Sequence, residues 1–432
     1  MYPKQNDALE VDASLLFACG TLTLTVGLAV MRPRMGVFQF SPGLAAVLGV
    51  LLLLLGGLLR PSDLVESARL QWRPLLALTC IMLMTGLVRE VGAFDRLAAR
   101  IENTARSRST VRTFTVIFVM SVITPSLLNN DAAILILTPL VVALSRRLYP
   151  DNPEMTMAFA FAVFLAPGVA PFIVSNPMNM IVAEFVGLNF NSYAAVMLPI
   201  SVAGAVLTYV ILRIVYRRVL RSVPEEGPVV ELPAPHRAER PAVILLSLVF
   251  LAYPIGATLG AEIWFVAVVG AAGSVLLVRA YQIAPMRSLS RHISFDILAF
   301  LWGIFLVVQG MRSVGAVDWL ISLYGPTTGD GAQIATIGVT SAVGSALIDN
   351  HPMSILNMMA IGVAEDPKPL LAALVGGDIG PRLLPIGSLA GLLWVDLLRR
   401  SEVHVSVWQF FRLGTIVLIP TMALSLLMLW AL

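Results

Sequence analysis

The chain has 432 residues, of which 58% are hydrophobic and 13% are charged, with a formal net charge of +3 and a mean hydropathy of +0.86. Soluble proteins carry about twice this share of charged residues, so the composition excludes a soluble enzyme, a disordered protein and a nucleic-acid binder. The excess of basic residues instead predicts the orientation of a membrane protein, because Lys and Arg accumulate in cytoplasmic loops. Cys19 and Cys80 both lie in apolar runs and predict neither a disulfide framework nor a cysteine metal site.

The hydropathy pattern predicts about ten transmembrane helices, because an apolar stretch of roughly 17–25 residues can cross a bilayer. Two stretches with polar clusters at their centres, 111–147 and 332–363, are predicted to be re-entrant hairpins. Two others, 154–188 and 368–398, are too long for one plain crossing and are predicted to be helices broken at Pro and Gly. The first apolar run lacks a basic leader, so a cleavable signal peptide is not expected. The other predicted spans are 13–31, 42–59, 74–92, 192–212, 241–259, 262–280, 295–312 and 408–432.

The positions of Lys and Arg in the short loops predict the orientation of the spans, because basic loops face the cytoplasm. Residues 1–12 are net acidic, whereas the segment 213–240 holds six arginines. We therefore expect both termini outside and this segment inside, as a cytoplasmic linker. Arg60, Arg69 and Arg73 are exceptions, because they fall on the predicted outer side. The sequence thus predicts a multi-pass protein of a bacterial or archaeal inner (plasma) membrane.

The chain contains an internal repeat, because residues 79–97 and 302–320 share the pattern R-x-V-G-A-x-D-x-L. In each copy a polar-centred hairpin and a broken helix follow. Each half then holds five predicted crossings and one hairpin, and an odd number of crossings inverts the second half in the membrane. Inverted repeats with broken helices at corresponding places are typical of secondary transporters, whose binding site lies at the repeat interface. The predicted first repeat is 1–212 and the predicted second repeat is 241–432.

Four polar clusters interrupt the apolar segments, at 129–131, 175–179, 349–352 and 376–388. A charge at the centre of a membrane helix costs at least about 2.5–3.5 kcal/mol, and a broken helix also exposes unpaired backbone groups there. Such clusters predict one shared binding site near the bilayer midplane, lined by amide donors and carboxamides. The expected substrate-binding residues are Asn129, Asn130, Ser175, Asn176 and Asn179 from the first half, and Asp349, Asn350, Gly377, Gly387 and Ser388 from the second.

Charged and titratable side chains in the same clusters are the candidates for proton coupling: Asp131, Asp378, His351 and Arg382. Asp131 and Asp378 are favoured as proton carriers, because desolvated carboxyl groups can take up protons at physiological pH. Other interpretations stay open. A single Asn or Ser can join membrane helices by hydrogen bonds, His351 can be a buried core residue, and Arg382 can hold Asp378 in a structural ion pair.

Three of the motifs resemble those of the ArsB family of arsenite efflux permeases in the ion-transporter (IT) superfamily. They are LNNDAAILILTP at 128–139, SNPMN at 175–179 and GDIGPRLLPIGSLA at 377–390. The resemblance implies a scaffold domain and a moving transport domain, with the amphipathic stretches near 94–107 and 315–325 as linking arms. It also implies export of trivalent arsenic or antimony, driven by protons or assisted by an ArsA-type ATPase.

One departure from the family lies at the tip of the second hairpin, which reads Asp-Asn-His-Pro at 349–352 where the family has Asn-Asn-x-Pro. The additional acid and imidazole predict either altered proton coupling or a different substrate.

The predicted function is secondary active efflux of trivalent arsenic or antimony hydroxides in exchange for protons, by alternating access at a midplane site. The arsenic triol is neutral at physiological pH, so carboxamides, hydroxyls and helix N–H groups can hold it without a counter-charge. No resident metal or cofactor is expected, and the expected partners are the inorganic substrate, protons and membrane lipids. One alternative is a sodium/proton antiporter or another small anion or solute carrier of the superfamily. An intramembrane enzyme is disfavoured, because neither a Ser-His-Asp arrangement nor a His-Glu-x-x-His motif occurs.

Overall fold

The computed structural model describes residues 13–35, 38–106, 109–128, 130–224, 234–283, 285–326, 330–363 and 365–432. Within these ranges the chain is almost entirely helical, apart from one pair of two-residue antiparallel strands, β1 (Arg34–Met35) and β2 (Phe38–Gln39). Nine of the described helices are long and apolar enough to cross a membrane. The predicted fold class, an all-helical polytopic membrane protein, is confirmed.

The described part of the first half contains nine α-helices: α1 (Ala13–Met31), α2 (Pro42–Leu55), α3 (Pro61–Glu90), α4 (Ala93–Arg106), α5 (Thr110–Leu127), α6 (Asn130–Leu148), α7 (Pro153–Leu165), α8 (Pro177–Val186) and α9 (Phe190–Val215). Helices α5 and α6 form the first hairpin, and α7 and α8 are the two parts of the first broken helix. Between α7 and α8 lies a short 3-10 turn, Ile173–Ser175. Proline occupies the first turn of α2, α3, α7 and α8, where its fixed φ suits a helix start.

The described part of the second half contains ten α-helices: α10 (Glu239–Thr258), α11 (Ile263–Tyr281), α12 (Met286–Ser290), α13 (Phe295–Ser313), α14 (Asp318–Tyr324), α15 (Gly331–Ile348), α16 (Asn350–Ile361), α17 (Lys368–Ile379), α18 (Leu389–Arg400) and α19 (Val407–Ala431). Helices α15 and α16 form the second hairpin, and α17 and α18 are the parts of the second broken helix. Two 3-10 turns, Gly380–Arg382 and Pro385–Gly387, separate α17 from α18.

The two copies of the repeated pattern form the same local structure. In the first copy α3 ends, Gly92 adopts a φ of +71°, and α4 follows. In the second copy α13 ends, Gly315 adopts a φ of +75°, and α14 follows. Glycine suits both turns because it has no Cβ to oppose a positive φ. The shared V-G-A sequence therefore encodes one turn that is used twice.

Helix α3 differs from its prediction, because it begins at Pro61 rather than at residue 74. Pro74 lies inside the helix without ending it. The polar first part of α3 packs against α13, where Trp302 Nε1 donates a hydrogen bond to Ser67 Oγ at 2.7 Å. Hydropathy misses this part of the helix because its charged and polar residues lower the average below that of a membrane span.

The helices that carry the hairpins and breaks pack very closely. A Cβ atom at Gly376 or at Gly380 would overlap the backbone oxygens of Gly338 and Ala342, respectively, on α15. Helix α17 and the turn after it therefore lie directly against the backbone of the second hairpin. Elsewhere α2 packs on α13, α3 on α11, α6 on α18 and α9 on α19, so helices from the two halves of the chain pack against each other.

Candidate functional site

Residues from both hairpin tips and both helix breaks line one cavity of about 60 Å³, here named the central cavity. A second cavity of about 30 Å³, the side cavity, is bounded on its other wall by Leu78 of α3 and Ile297 of α13. The structure thus brings together four clusters that are far apart in the sequence. Four residues line both cavities: Asn130, Asn176, Asn350 and Ser388.

Each of these four residues lies at the beginning of a helix. Asn176 Oδ1 accepts a hydrogen bond from Met178 N–H at 3.1 Å at the start of α8, and Ser388 Oγ accepts one from Gly391 N–H at 3.0 Å at the start of α18. Asn130 and Asn350 are the first residues of α6 and α16. Helix N-termini carry a partial positive charge and N–H groups without intrahelical partners. The cavities therefore lie at a convergence of four helix N-termini.

The Asp378 carboxylate, at the end of α17, reaches across to the break in the first half. Its Oδ2 accepts a hydrogen bond from Ala170 N–H at 2.9 Å, and its Oδ1 accepts one from Asn176 Nδ2 at 2.9 Å. Asn176 thus caps α8 with its oxygen and contacts Asp378 with its nitrogen. Both oxygens of Asp378 act as acceptors for the unwound segment between α7 and α8.

The Arg382 guanidinium holds the other end of the same segment. Its Nη2 donates to Leu165 O at 2.7 Å and to Pro167 O at 3.0 Å, and its Nη1 donates to Thr421 Oγ1 on α19 at 3.0 Å. These carbonyls lie where α7 ends and have no intrahelical partners. Among the described residues no carboxylate lies within 4.0 Å of this guanidinium. The direct ion pair with Asp378 that the sequence allowed is therefore not formed.

Asp349 and His351 form a buried pair at the tip of the second hairpin. Asp349 Oδ1 accepts hydrogen bonds from the backbone N–H of His351 at 2.9 Å and from its ring Nδ1 at 2.6 Å. The ring also packs edge-on against Phe300, with 5.7 Å between centroids. Asp349 adopts a φ of +75° and a ψ of 149°, a region that L residues avoid at a cost of about 1–3 kcal/mol. The compensating contacts hold His351 at the wall of the side cavity.

Two acceptor atoms of the shared residues have no hydrogen-bond partner among the described residues. They are Asn130 Oδ1 and Asn350 Oδ1, which are both buried. A buried acceptor without a partner costs about 1–3 kcal/mol, and such groups in native proteins usually mark a site for a ligand, ion or water. One atom comes from each hairpin tip, and both residues line the two cavities. The site therefore presents two carboxamide oxygens to a molecule that can donate hydrogen bonds.

Most of the sequence-predicted site residues lie at these cavities. His351 lines the side cavity, and the central cavity is lined by Asn130, Ser175, Asn176, Asn350, Asp378, Arg382 and Ser388. Asn129 and the side chain of Asp131 lie outside the described residues.

Four predicted substrate-binding residues lie behind the walls of both cavities. Asn179 is fully buried and donates to Tyr193 OH at 2.6 Å, and Asp349 faces His351. A Cβ at Gly377 would lie 3.2 Å from Ser354 Oγ, and one at Gly387 would lie 3.0 Å from the backbone of α15. The two glycines therefore allow close helix packing, because a side chain at either position would press on a neighbouring helix.

The sequence analysis missed three contributors to the site. Ser126 and Ser201 line the central cavity, and Thr421 is a hydrogen-bond partner of Arg382. Each of them lies in an apolar span that contains other Ser or Thr residues, and such hydroxyl groups more often join helices. No sequence signal therefore separates these three from the other hydroxyl residues of the same helices.

A family model described as arsenical pump membrane protein, ArsB, matches residues 17–432. The chain belongs to this family. Among its relatives, the arsenical pump membrane protein of Escherichia coli (strain K12) is 29% identical over 429 residues, covering 95% of this chain and 97% of that protein. The protein of the same description from Yersinia enterocolitica is also 29% identical, over 428 residues, with the same shares covered. The putative arsenical pump membrane protein of Bacillus subtilis (strain 168) is 24% identical over 416 residues, covering 90% of this chain and 93% of that one.

One solved structure has a fold similar to that of this chain. The crystal structure of the Alcanivorax borkumensis YdaH transporter, described as having an unusual topology, is similar to this chain with a TM-score of 0.55. The similarity covers 97% of this chain and 96% of that one at 16% sequence identity. The protein is therefore a multi-pass membrane protein of a transporter fold, and its relatives are named as membrane pumps.

Proposed function

We propose that this protein is a secondary transporter that exports trivalent arsenic and antimony hydroxides across the inner membrane in exchange for protons. The observation that carries the proposal is the pair of buried acceptors, Asn130 Oδ1 and Asn350 Oδ1, at the walls of the same two cavities. One comes from each half of the chain, as expected for a substrate site at a repeat interface. The family of arsenical pump membrane proteins supplies the class of substrate.

The chemistry of the site suits a small neutral triol. Each hydroxyl of trivalent arsenic hydroxide can donate a hydrogen bond to a carboxamide oxygen, and its oxygen atoms can accept from N–H groups at the four helix N-termini. No counter-charge is needed for a neutral solute. The two cysteines lie away from the cavities, with Cys19 exposed on α1 and Cys80 buried in α3. Hydrogen bonds without thiolate ligation favour rapid release, which a carrier requires.

The substrate is proposed to be held by the residues at the cavity walls and released by alternating access. In this proposal the hairpins and broken helices form the moving transport domain, α4 and α14 are its linking arms, and the halves 1–212 and 241–432 are inverted repeats. Both termini face outside. An ArsA-type ATPase, where one is present, would dock on the cytoplasmic linker 213–240. Asp131 and Asp378 remain candidate proton carriers in this scheme, although both oxygens of Asp378 already accept hydrogen bonds.

The proposal can be tested in everted membrane vesicles from an arsenite-sensitive host that lacks its own pump. The wild type should accumulate arsenite inside vesicles when a proton gradient is imposed, as measured by elemental mass spectrometry. Asn350→Leu removes one acceptor at similar volume, and the loss of one hydrogen bond of about 1.4 kcal/mol should raise KM about tenfold. Gln409→Leu, an exposed carboxamide on α19, is the matched control and should leave KM unchanged.

The same vesicles can distinguish arsenite export from the alternative function, sodium/proton exchange. The acceptor oxygens and the carboxylate of Asp378 in the central cavity also favour a sodium site. Carboxylate and carbonyl oxygens are the ligands of hard cations. Proton-driven movement of radioactive sodium without any movement of arsenite would replace the arsenic proposal with this alternative.

A further inference from the structure

Three charged side chains from three helices meet beside α3, at the end of its apolar part. Arg73 Nη1 lies 3.0 Å from Glu184 Oε1 on α8 and 3.3 Å from Glu262 Oε2 at the start of α11. Glu262 Oε2 also accepts a hydrogen bond from Trp264 Nε1. Arg73, Glu184 and Glu262 are here named the charge triad. One guanidinium nitrogen of Arg73 thus bridges two carboxylates from different helices.

Two members of the triad lie on helices that are packed together, and the third does not. Helix α3 packs on α11 and α13, and the rings of Trp72 and Trp264 join α3 to α11 with 5.3 Å between their centroids. The Arg73 guanidinium also lies over the Trp72 ring, 5.5 Å from its centroid. Helix α8, which carries Glu184, packs against α16 and α17 as well as α3. The Arg73–Glu184 pair therefore connects part of a broken helix to the α3–α11 pair.

The boundary between α3 and the hairpins and broken helices differs at its two ends. The cavity beside Arg73 and Glu184 has a volume of about 30 Å³. Arg89 and Glu90, about 25 Å further along α3, line a cavity of about 680 Å³ together with residues of α6, the second helix of the first hairpin. This second space is here named the base cavity. The boundary is therefore closed at the triad and open at the other end of α3.

The triad lies on the side of the membrane that the sequence predicts to be outside. Arg73 is one of the three arginines that depart there from the rule that basic residues face the cytoplasm. Its contacts with Glu184 and Glu262 give this arginine a role that does not depend on the charge of a loop. The base cavity, at the opposite end of α3, then faces the cytoplasm.

We propose that the Arg73–Glu184 pair is an outer latch, which holds α8 against α3 and α11 while the base cavity is open to the cytoplasm and separates when α8 moves. The inference rests on the proposed alternating access and assigns its outer closed contact. Glu262 keeps the guanidinium of Arg73 on the α3–α11 pair after Glu184 leaves. The three side chains are 38–46% exposed, so the pair contributes little to the stability of the fold. A contact made in one of two states nevertheless changes their ratio by its full free energy.

A reversible cross-link tests whether Arg73 and Glu184 must separate during transport. Cys19→Ser and Cys80→Ala first remove the native thiols. Arg73→Cys and Glu184→Cys are then joined by a bifunctional disulfide-forming reagent about as long as the two side chains they replace. Arsenite uptake into everted vesicles should fall by at least tenfold in proportion to the cross-linked fraction, and a reductant should restore it.

The matched control joins the same position on α3 to the other carboxylate of the triad. Arg73→Cys and Glu262→Cys lie on two helices that are proposed to stay together, so the same reagent should leave at least half of the arsenite uptake. This control has the same reagent and the same Arg73→Cys change. A difference between the two cross-linked proteins therefore reports the movement of α8.

A measurement without substrate tests the charges of the latch. Spin labels at Leu55→Cys, exposed at the end of α2, and Val186→Cys, at the end of α8, report the two states as two distances in the purified protein. Arg73→Glu should lower the share of the state described here relative to the other by at least about threefold to fivefold, the range that an exposed ion pair supplies. The double variant Arg73→Glu/Glu184→Arg should restore the wild-type ratio. Arg69→Glu, which reverses a charge about one turn earlier on α3, is the control and should not change it.

The results separate a failure of the latch from a failure of the proposed function. Normal arsenite uptake by the fully cross-linked Arg73→Cys/Glu184→Cys protein, or an unchanged distance ratio in Arg73→Glu, overturns the latch. Absence of arsenite uptake by the wild type overturns the proposed function, and the distance ratio then decides on the latch alone. The distance ratio also decides if the cross-link does not form.

Discussion

Replacement of Arg382 by methionine tests whether one side chain holds the first helix break. Arg382→Met keeps much of the side-chain volume but removes three hydrogen bonds, to Leu165 O, Pro167 O and Thr421 Oγ1. Hydrogen bonds from a charged donor contribute about 1.5–3 kcal/mol each, and part of this is recovered if water reaches the freed carbonyls. We expect a loss of about 4 kcal/mol or more in the free energy of unfolding, and with it a loss of efflux.

The assay is the apparent Tm in detergent, measured as the fraction of monodisperse protein that remains after heating. Since 1 kcal/mol shifts the Tm of a domain of 150–250 residues by about 2–4 °C and less in a longer chain, Arg382→Met should lower it by roughly 5–10 °C. Arg382→Lys should be intermediate, because a single ammonium cannot reproduce the planar fork of the guanidinium. Arg412→Met, at an exposed position on α19, is the control. An Arg382→Met protein that melts with the control would refute the role given to these hydrogen bonds.

Two further variants probe the contacts around the breaks. A Cβ at Gly414 would overlap the carbonyl oxygen of Arg382. Gly414→Ala should therefore abolish or strongly reduce the amount of folded protein seen in gel filtration. The control Gly27→Ala, at a position with open space around it, should not. The side chain of Asp378→Asn can accept only one of the two hydrogen bonds that the carboxylate receives. Because one donor is left without a partner, the free energy of unfolding should fall by about 1–3 kcal/mol. Arsenite efflux by this variant should also be slower. The control is Asp396→Asn, whose half-exposed side chain pairs with Arg400 on the same helix, and it should do neither. Equal efflux by both Asp variants would contradict a role for Asp378 at the cavity.

The sequence predicts the polar clusters well because polarity inside an apolar span is visible without a structure. Asn130, Asn176, Asn350 and Ser388 all lie at helix starts beside the cavities. Residue preferences at helix ends also predict where these helices begin. Asn and Ser are good N-cap residues, and Pro177, which follows Asn176, suits the first helical position. The sequence also predicts inverted repeats, which would bring the two breaks to one interface.

The partners of the charged residues are not predictable in the same way. Asp378 and Arg382 are four residues apart, which suggests an ion pair on a helix, but the 3-10 turn that begins at Gly380 separates them. Each then contacts backbone atoms more than 200 residues away, at separations of 208 and 217 residues for Ala170 and Leu165. Every backbone offers the same N–H and C=O groups, so no residue type marks these partners in the sequence.

The roles of Gly377 and Gly387 are missed for a related reason. Glycine in a polar cluster is compatible with a backbone approach to substrate or with a close approach between helices, and composition does not separate the two. Ser354 and the α15 backbone lie so close to these two glycines that their role is close helix packing. Similarly, the start of α3 at Pro61 depends on its contact with α13, which hydropathy does not register.

The dependence of the first break on Arg382 and Asp378 has a consequence for biosynthesis. The carbonyls of Leu165 and Pro167 leave the ribosome long before the side chain that satisfies them, which is synthesised more than 200 residues later. Domains in general fold as they emerge from the ribosome. Until Arg382 is made, however, these two carbonyls must accept hydrogen bonds from the translocon, lipid headgroups or water. Slow elongation through the codons between Pro167 and Arg382 would prolong the interval in which these carbonyls lack their partner, and quality-control proteases of the membrane can act on the chain during that interval.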